Sequence, residues 1–184
     1  ANGMVYRALR PVYWCYHCET ALAEDEIEYS THISPAIYVA FELRDPGALP
    51  FDHVPAGPVS ILIWTTTPWT IPGNTGIALH RDAWYALVRT PKGNLILAEE
   101  LVQRSMAECG IEDYEVLGRV RGEQLEGLVA RHPLYDRDSK VVLADYVTVV
   151  DGTGAVHTAP GHGLEDYETA LRYGLDIISP IDDL

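Results

Sequence analysis

Three consecutive threonines, Thr65, Thr66 and Thr67, stand between the apolar run Val59-Ser60-Ile61-Leu62-Ile63-Trp64 and Pro68. Side chains alternate in direction along a strand, so such a triplet at a strand end presents at least one hydroxyl on each face. A hydroxyl donates and accepts, and can orient a water or meet an oxyanion. Trp64 and Trp69 flank the triplet with flat surface on which a base or ribose could rest, and Asn74 adds an amide donor and acceptor. Threonine is also common in strands, and a plain strand running into a proline turn explains the same residues. The pattern alone leaves both readings open.

A second concentration lies at 151–167, Asp151-Gly152-Thr153-Gly154-Ala155-Val156-His157-Thr158-Ala159-Pro160-Gly161-His162-Gly163-Leu164-Glu165-Asp166-Tyr167. Its glycines lack the dinucleotide-binding spacing, and no P-loop lysine accompanies them. They are expected to make tight turns or to let backbone approach a ligand. His157 would end a short strand, and Asp166 would sit in the first turn of a following helix. Each also has an ordinary explanation: a hydrogen-bonded core imidazole, and a helix-dipole partner whose role Glu165 could share. Histidine and acid crowd together here, yet the spacing matches no standard zinc motif. A third stretch, Cys15-x-x-Cys18, offers two thiolates where a closed structural zinc site needs four ligands. It makes a half-site at most.

The elements that must position these residues read as mostly strands. Residues 27–29 and 36–41 show strand patterning, and proline and glycine between Asp45 and Pro58 mark a long surface loop. The run 59–64 is a candidate buried strand that Pro68, Pro72 and Gly73 bring to an end. Further strands are expected at 75–79, 84–89, 94–98, 114–120, 141–143, 147–150 and 154–158. Glu99 to Cys109 has helical spacing, with Gly110 as its terminator. Leu164 to Tyr173 is the last helix, with Leu164, Tyr167, Ala170 and Leu171 on one face and Gly174 stopping it. Many short strands with scattered helices predict an α+β domain around a β-barrel-like core.

The chain has 184 residues, 47% of them hydrophobic and 22% charged, as expected of one globular domain with a real core. No apolar stretch has the ~18 residues of a membrane span. Three cysteines with one close pair make a poor disulfide framework and suit a reducing compartment, so a cytoplasmic location is expected. The net charge of -14 and the presence of only two lysines, Lys92 and Lys140, argue against an independent nucleic-acid binder, which needs a basic face. The closing Asp182-Asp183-Leu184 follows Ser-Pro without a final element and reads as cut from something longer.

WTTTPWTIPGN at 64–74 and DGTGAVHTAPGHGLEDY at 151–167 resemble the two signatures of the isoleucyl-tRNA synthetase editing domain. PVYWCYHCETALAEDEIEY at 11–29 resembles the junction where that domain leaves the synthetase core. The resemblance spans essentially the whole chain, and its motifs are specific. It implies a β-barrel ringed by helices at 26–184, with 1–25 as a linker or half zinc knuckle from the core. It implies that Thr65, Thr66 and Thr67 contact the terminal adenosine and the ester, with Trp64 and Asn74 as accompanying pocket positions. His157 resembles the histidine bounding the side-chain pocket, and Asp166 the aspartate that holds the substrate's α-ammonium. Cys15 and Cys18 would be an orphaned half of a zinc site completed only in the intact enzyme. Editing itself would need no cofactor.

The activity so implied is hydrolysis of valine from the 3′ end of tRNA(Ile), by a monomer working beside the rest of a synthetase and away from membranes. Valyl-adenylate stays open as a second substrate. One methylene separates isoleucine from valine, worth about 1–3 kcal/mol to a binding pocket; isoleucyl-tRNA synthetase with this very pair is the standard example of that limit, and the magnitude belongs to that example. A second site that excludes by size removes the limit. The ester is activated, and no nucleophile elbow is present, so direct attack by a positioned water is expected. No HIGH-like or KMSKS-like segment is found, so amino-acid activation is not expected. The competing readings are an insert that positions the tRNA end without hydrolysis and a zinc-dependent module built on Cys15 and Cys18. Given its charge, the chain alone is expected to hold tRNA weakly.

Overall fold

The computed structural model describes residues 3–6 and 10–180; the start at Ala1 and Asn2 and the closing Asp182, Asp183 and Leu184 lie outside the described residues. A two-stranded hairpin comes first, β1 (Trp14–Cys15) and β2 (Thr20–Ala21), and it joins neither of the larger sheets. There follow β3 (Ile37–Glu42), β4 (Val59–Thr65), β5 (Gly76–Leu79), β6 (Trp84–Thr90), β7 (Gly93–Ala98) and the short helix α1 (Val102–Glu108). Then come β8 (Glu115–Arg121), β9 (Val129–Arg131), β10 (Asp138–Leu143), β11 (Ala155–Thr158) and α2 (Leu164–Tyr173).

One sheet has the order β3-β4-β7-β6-β8 and the other β11-β5-β10-β9. Pairing is antiparallel except for β4 with β7 and β5 with β10. The sheets join at one edge, where Leu43 bridges Ala130 and Arg44 N–H donates to the Val129 carbonyl at 2.8 Å. The described strands do not close into a complete barrel. The α+β architecture dominated by short strands is as expected.

The main core lies between the sheets. Val59, Ile61 and Ile63 of β4, Tyr85 and Leu87 of β6, and Ile77 and Leu79 of β5 are fully buried there. The other face of the larger sheet is buried too, because Leu62, Ala86, Val88 and Leu97 pack against Val102 and Met106 of α1. Burial on both faces explains why these strands read as near-continuous apolar runs rather than alternating ones.

Several local expectations change. Residues 27–29 pair with nothing as a strand. Residues 147–150 are irregular chain that follows a turn after β10, the turn being closed by Val147 N–H reaching back to the Ala144 carbonyl. β9 is too short to show a period, and β10 starts three residues before the expected 141 because Asp138, Ser139 and Lys140 find partners on β9 and β5. α1 is shorter than 99–109, its first residues tightening into a 3₁₀ turn, Glu99–Leu101. α2 has the expected bounds but a rotated face. Thr169 and Ala170 are buried, and Tyr173 reaches under the sheet to accept Leu143 N–H at 3.1 Å, so Leu164 and Leu171 face outward.

Tyr85 shows how tightly the sheets are tied. Its ring is in the main core, and its hydroxyl donates to the Gly154 carbonyl at 2.5 Å while accepting His80 N–H at 2.9 Å. Tyr85→Phe keeps the ring but strands two backbone groups in the core. Urea denaturation should show a loss of about 1–3 kcal/mol.

Candidate functional site

The two motifs meet because of strand pairing. β4 ends at Thr65, the chain makes a 3₁₀ turn at Pro68–Gly73, and β5 begins at Gly76. β5 pairs with β11 so that Thr158 faces Gly76 and His157 faces Ile77. The threonine turn is thereby fixed beside the strand that carries the histidine.

The threonine segment is internally bonded. Thr65 Oγ1 accepts Thr67 N–H at 3.1 Å and lies 3.2 Å from Thr67 Oγ1. Thr70 Oγ1 donates to the Thr67 carbonyl at 2.9 Å and lies 3.0 Å from His157 Nε2. A hydroxyl has one proton, and a carbonyl only accepts. With that proton on the Thr67 carbonyl, His157 Nε2 must be the donor to Thr70, which leaves Nδ1 as a buried acceptor with no hydrogen-bond partner among the described residues. Burial, with help from nearby His162 and His132, holds the His157 pKa down to about 4. The ring is therefore neutral at pH 7.

The turn is held from outside by residues that the motifs do not contain. His132 Nε2 donates to the Ile71 carbonyl at 2.8 Å while its Nδ1 accepts Leu134 and Tyr135 N–H. Arg137 donates to the Pro72 carbonyl at 2.5 Å. Asn74 is fully buried, donating to the Gly76 carbonyl at 2.8 Å and accepting Ser139 Oγ at 2.7 Å.

Asp166 lies in the first turn of α2, but its carboxylate reaches back toward β11. Oδ2 accepts Ala159 N–H at 2.8 Å, and Oδ1 accepts the Tyr146 hydroxyl at 3.1 Å. Burial raises its pKa, and these two donors oppose the rise. Tyr146, from the turn after β10, is itself pushed up to about 12 by burial.

A cavity of about 250 Å³ lies between these groups, lined by Trp64, Thr65, Thr66, Tyr146, Thr148 and residues 151–156. Gly152 and Gly154 have positive φ, and a side chain at either would collide with Trp64 or Ala98 respectively. The glycines serve close packing and shape one wall. α1 braces that wall, since buried Ser105 donates to the Gly152 carbonyl at 3.1 Å and Arg104 holds the Asp151 carboxylate at 2.7 Å.

Of the residues singled out in sequence, Trp64, Thr65 and Thr66 line this cavity. Thr67, Asn74, His157 and Asp166 do not. Thr67 and His157 connect to it through the chain of hydroxyls, and Asp166 lies one hydrogen bond behind Tyr146. Tyr146 and His132 lie outside both motifs, and Thr70 lies inside the first without having been singled out; their contacts join positions 20 to 87 residues apart and emerge only on folding.

Cys15 and Cys18 sit in the β1–β2 hairpin, where Cys18 N–H donates to Cys15 Sγ at 3.4 Å and helps hold that thiol below its usual pKa. The turn brings the two cysteines close together. Among the described residues no group of three or more potential ligands forms, so this segment supplies at most half of a coordination sphere.

The model of the family "Leucyl-tRNA synthetase, editing domain" matches residues 48–183. Isoleucine–tRNA ligases from Nitratidesulfovibrio vulgaris (strain DSM 19637 / Miyazaki F) and Fervidobacterium pennivorans are each 55% identical over 100% and 99% of the chain. The chain spans about a fifth of the length of these relatives, 20% and 19%. Among solved structures, the fold is similar to that of GlLeuRS-CP1, with a TM-score of 0.62 at 22% identity over 78% of this chain and 66% of that one. It is also similar to the P. knowlesi cytosolic leucyl-tRNA synthetase editing domain, with a TM-score of 0.64 at 15% identity over 76% and 62%.

The depressed His157 pKa makes a prediction about stability. In the unfolded chain the imidazole protonates near 6.5, while in the folded chain it stays neutral to about 4. Acidification through that window favours the unfolded state, which takes up the proton. The wild-type chain should lose up to about 3 kcal/mol more than His157→Gln between pH 7 and pH 4, read from urea denaturation at each pH. Parallel curves would show that burial does not hold the ring neutral.

Proposed function

The chain belongs to the editing-domain family of the class I aminoacyl-tRNA synthetases, and on that premise we propose that it hydrolyses valine ester-linked to the 3′ end of tRNA(Ile). The observation that carries this reading is the half-buried Asp166 carboxylate, held on two donors and separated by one hydrogen bond from the cavity that Trp64, Thr65 and Thr66 line. An ionised carboxylate so placed is suited to a substrate α-ammonium, which would supply the charge that burial otherwise leaves uncompensated.

Anchoring the ammonium fixes the neighbouring ester carbonyl, a proximity effect. The hydroxyls of Thr65, Thr66 and Thr67 then orient a water or stabilise the developing oxyanion. Trp64 offers a flat surface to the terminal adenosine. His157 does not line the cavity itself; it is pinned by Thr70 and backs the threonine turn, so that this wall would yield little to one extra methylene, and overpacking of that kind costs about 1–3 kcal/mol. Asn74 supports the turn from within rather than touching substrate. Cys109 is not a candidate nucleophile: it closes α1 without lining the cavity, and burial raises its pKa. Water attacks directly, with no covalent intermediate.

The tRNA and the remainder of a longer synthetase are the partners in this reading, with the body of the tRNA held elsewhere because this segment is strongly acidic. In that longer protein, Cys15 and Cys18 would hold zinc together with two further ligands, and zinc would stabilise the junction without entering the chemistry.

Single-turnover deacylation of valyl-tRNA(Ile) tests the reading. Asp166→Ala should fold normally and lower the rate by about 100-fold or more. Full activity in the variant would remove the ammonium anchor, and binding without hydrolysis by the wild-type chain would favour an insert that only positions the tRNA end.

A further inference from the structure

We propose that Tyr146 is a positioning residue for Asp166, its hydroxyl fixing the carboxylate that meets the substrate ammonium. The inference rests on the role given to Asp166 above. Tyr146 belongs to the turn after β10, Ala159 follows β11, and Asp166 belongs to α2, so three separate elements converge on one carboxylate. The two donors take different oxygens. That arrangement fixes both the side-chain rotamer and the carboxylate plane, and leaves each oxygen lone-pair capacity for a further donor. Tyr146 also forms part of the cavity wall beside Trp64, Thr65 and Thr66, so the group that sets the carboxylate borders the volume the substrate would enter.

A purely structural role for Tyr146 has support, since its ring packs against the small cluster of Ala78, Val142, Ala144 and Val147. Phenylalanine would pack there as well, so the hydroxyl is the distinguishing feature. The other titratable groups acting on Asp166 are Glu165 beside it on α2 and His162 on the preceding turn. Neither is hydrogen-bonded to the carboxylate, so among the described residues Tyr146 and Ala159 fix its orientation.

The test compares two esters of the same tRNA with the full chain: valyl-tRNA, and 3-methylbutanoyl-tRNA, which keeps the branched side chain but lacks the ammonium. Tyr146→Phe should lower kcat/KM for the valyl ester on the order of tenfold and leave the des-amino ester nearly unchanged. The acid limb of the valyl profile should also move to higher pH, because the carboxylate has lost a donor that favoured its charged form. An equal loss on both esters would show a merely structural role and overturn the proposal, as would no loss at all. If Tyr146→Phe fails to fold by near-ultraviolet circular dichroism, Tyr146→3-fluorotyrosine decides, since it keeps the ring and makes the donor more acidic. Its acid limb should move to lower pH, and an unmoved limb would overturn the proposal. Asp166→Ala serves as the control: if it leaves the preference for the ammonium-bearing ester intact, the reading of Asp166 fails, a result distinct from failure at Tyr146.

Discussion

A carboxylate withdrawn from water must be given donors or a counter-charge, and the arrangement around Asp166 follows from that constraint. Asp166 is half-buried, so its charge keeps part of its hydration and bears part of the cost of an unpaired interior charge. The fold supplies one backbone N–H and one phenol, which satisfy part of the hydrogen-bonding capacity and none of the charge. On the proposed reading, the substrate's ammonium would complete what the protein leaves undone. The site would then select for ligands bearing an ammonium before side-chain size is considered.

The scaffold delivers that constraint through one pairing. Because β5 starts just past the Pro68–Gly73 turn and lies beside β11, the threonine hydroxyls and the glycine-rich wall are set by the same sheet. The proline-rich turn cannot form a regular ladder of its own, so its carbonyls are satisfied by His132, Arg137 and Thr70. A neutral histidine suits this work. His157 donates from one nitrogen to a buried hydroxyl and, being neutral, carries no positive charge that would repel the ammonium the proposal brings to Asp166.

Much of this is legible in the residues. The bounds of α2, the long buried strands and the clustering of two motifs follow from period, punctuation and composition. What stays hidden has physical causes. β9 has three residues and no measurable period, while 147–150 is apolar because Val147 packs into a small cluster, not because it pairs. Leu164 and Leu171 look like an apolar stripe, yet Tyr173 and Ala170 decide which face of α2 lies down. Asn74 looks like a pocket position in the sequence, whereas it is buried with its amide donating to the Gly76 carbonyl and accepting from Ser139. Tyr146 and His132 act through contacts distant in sequence, and nothing in their immediate neighbours marks them.

The claim that an incoming ammonium completes the Asp166 seat is tested most directly by a crystal structure with a non-hydrolysable valyl-adenosine analogue bound. The analogue's nitrogen should lie within hydrogen-bond distance of the Asp166 carboxylate, with its adenosine against Trp64 and the threonine turn. An analogue bound with its ammonium in solvent, and Asp166 still touched only by Tyr146 and Ala159, would contradict the claim.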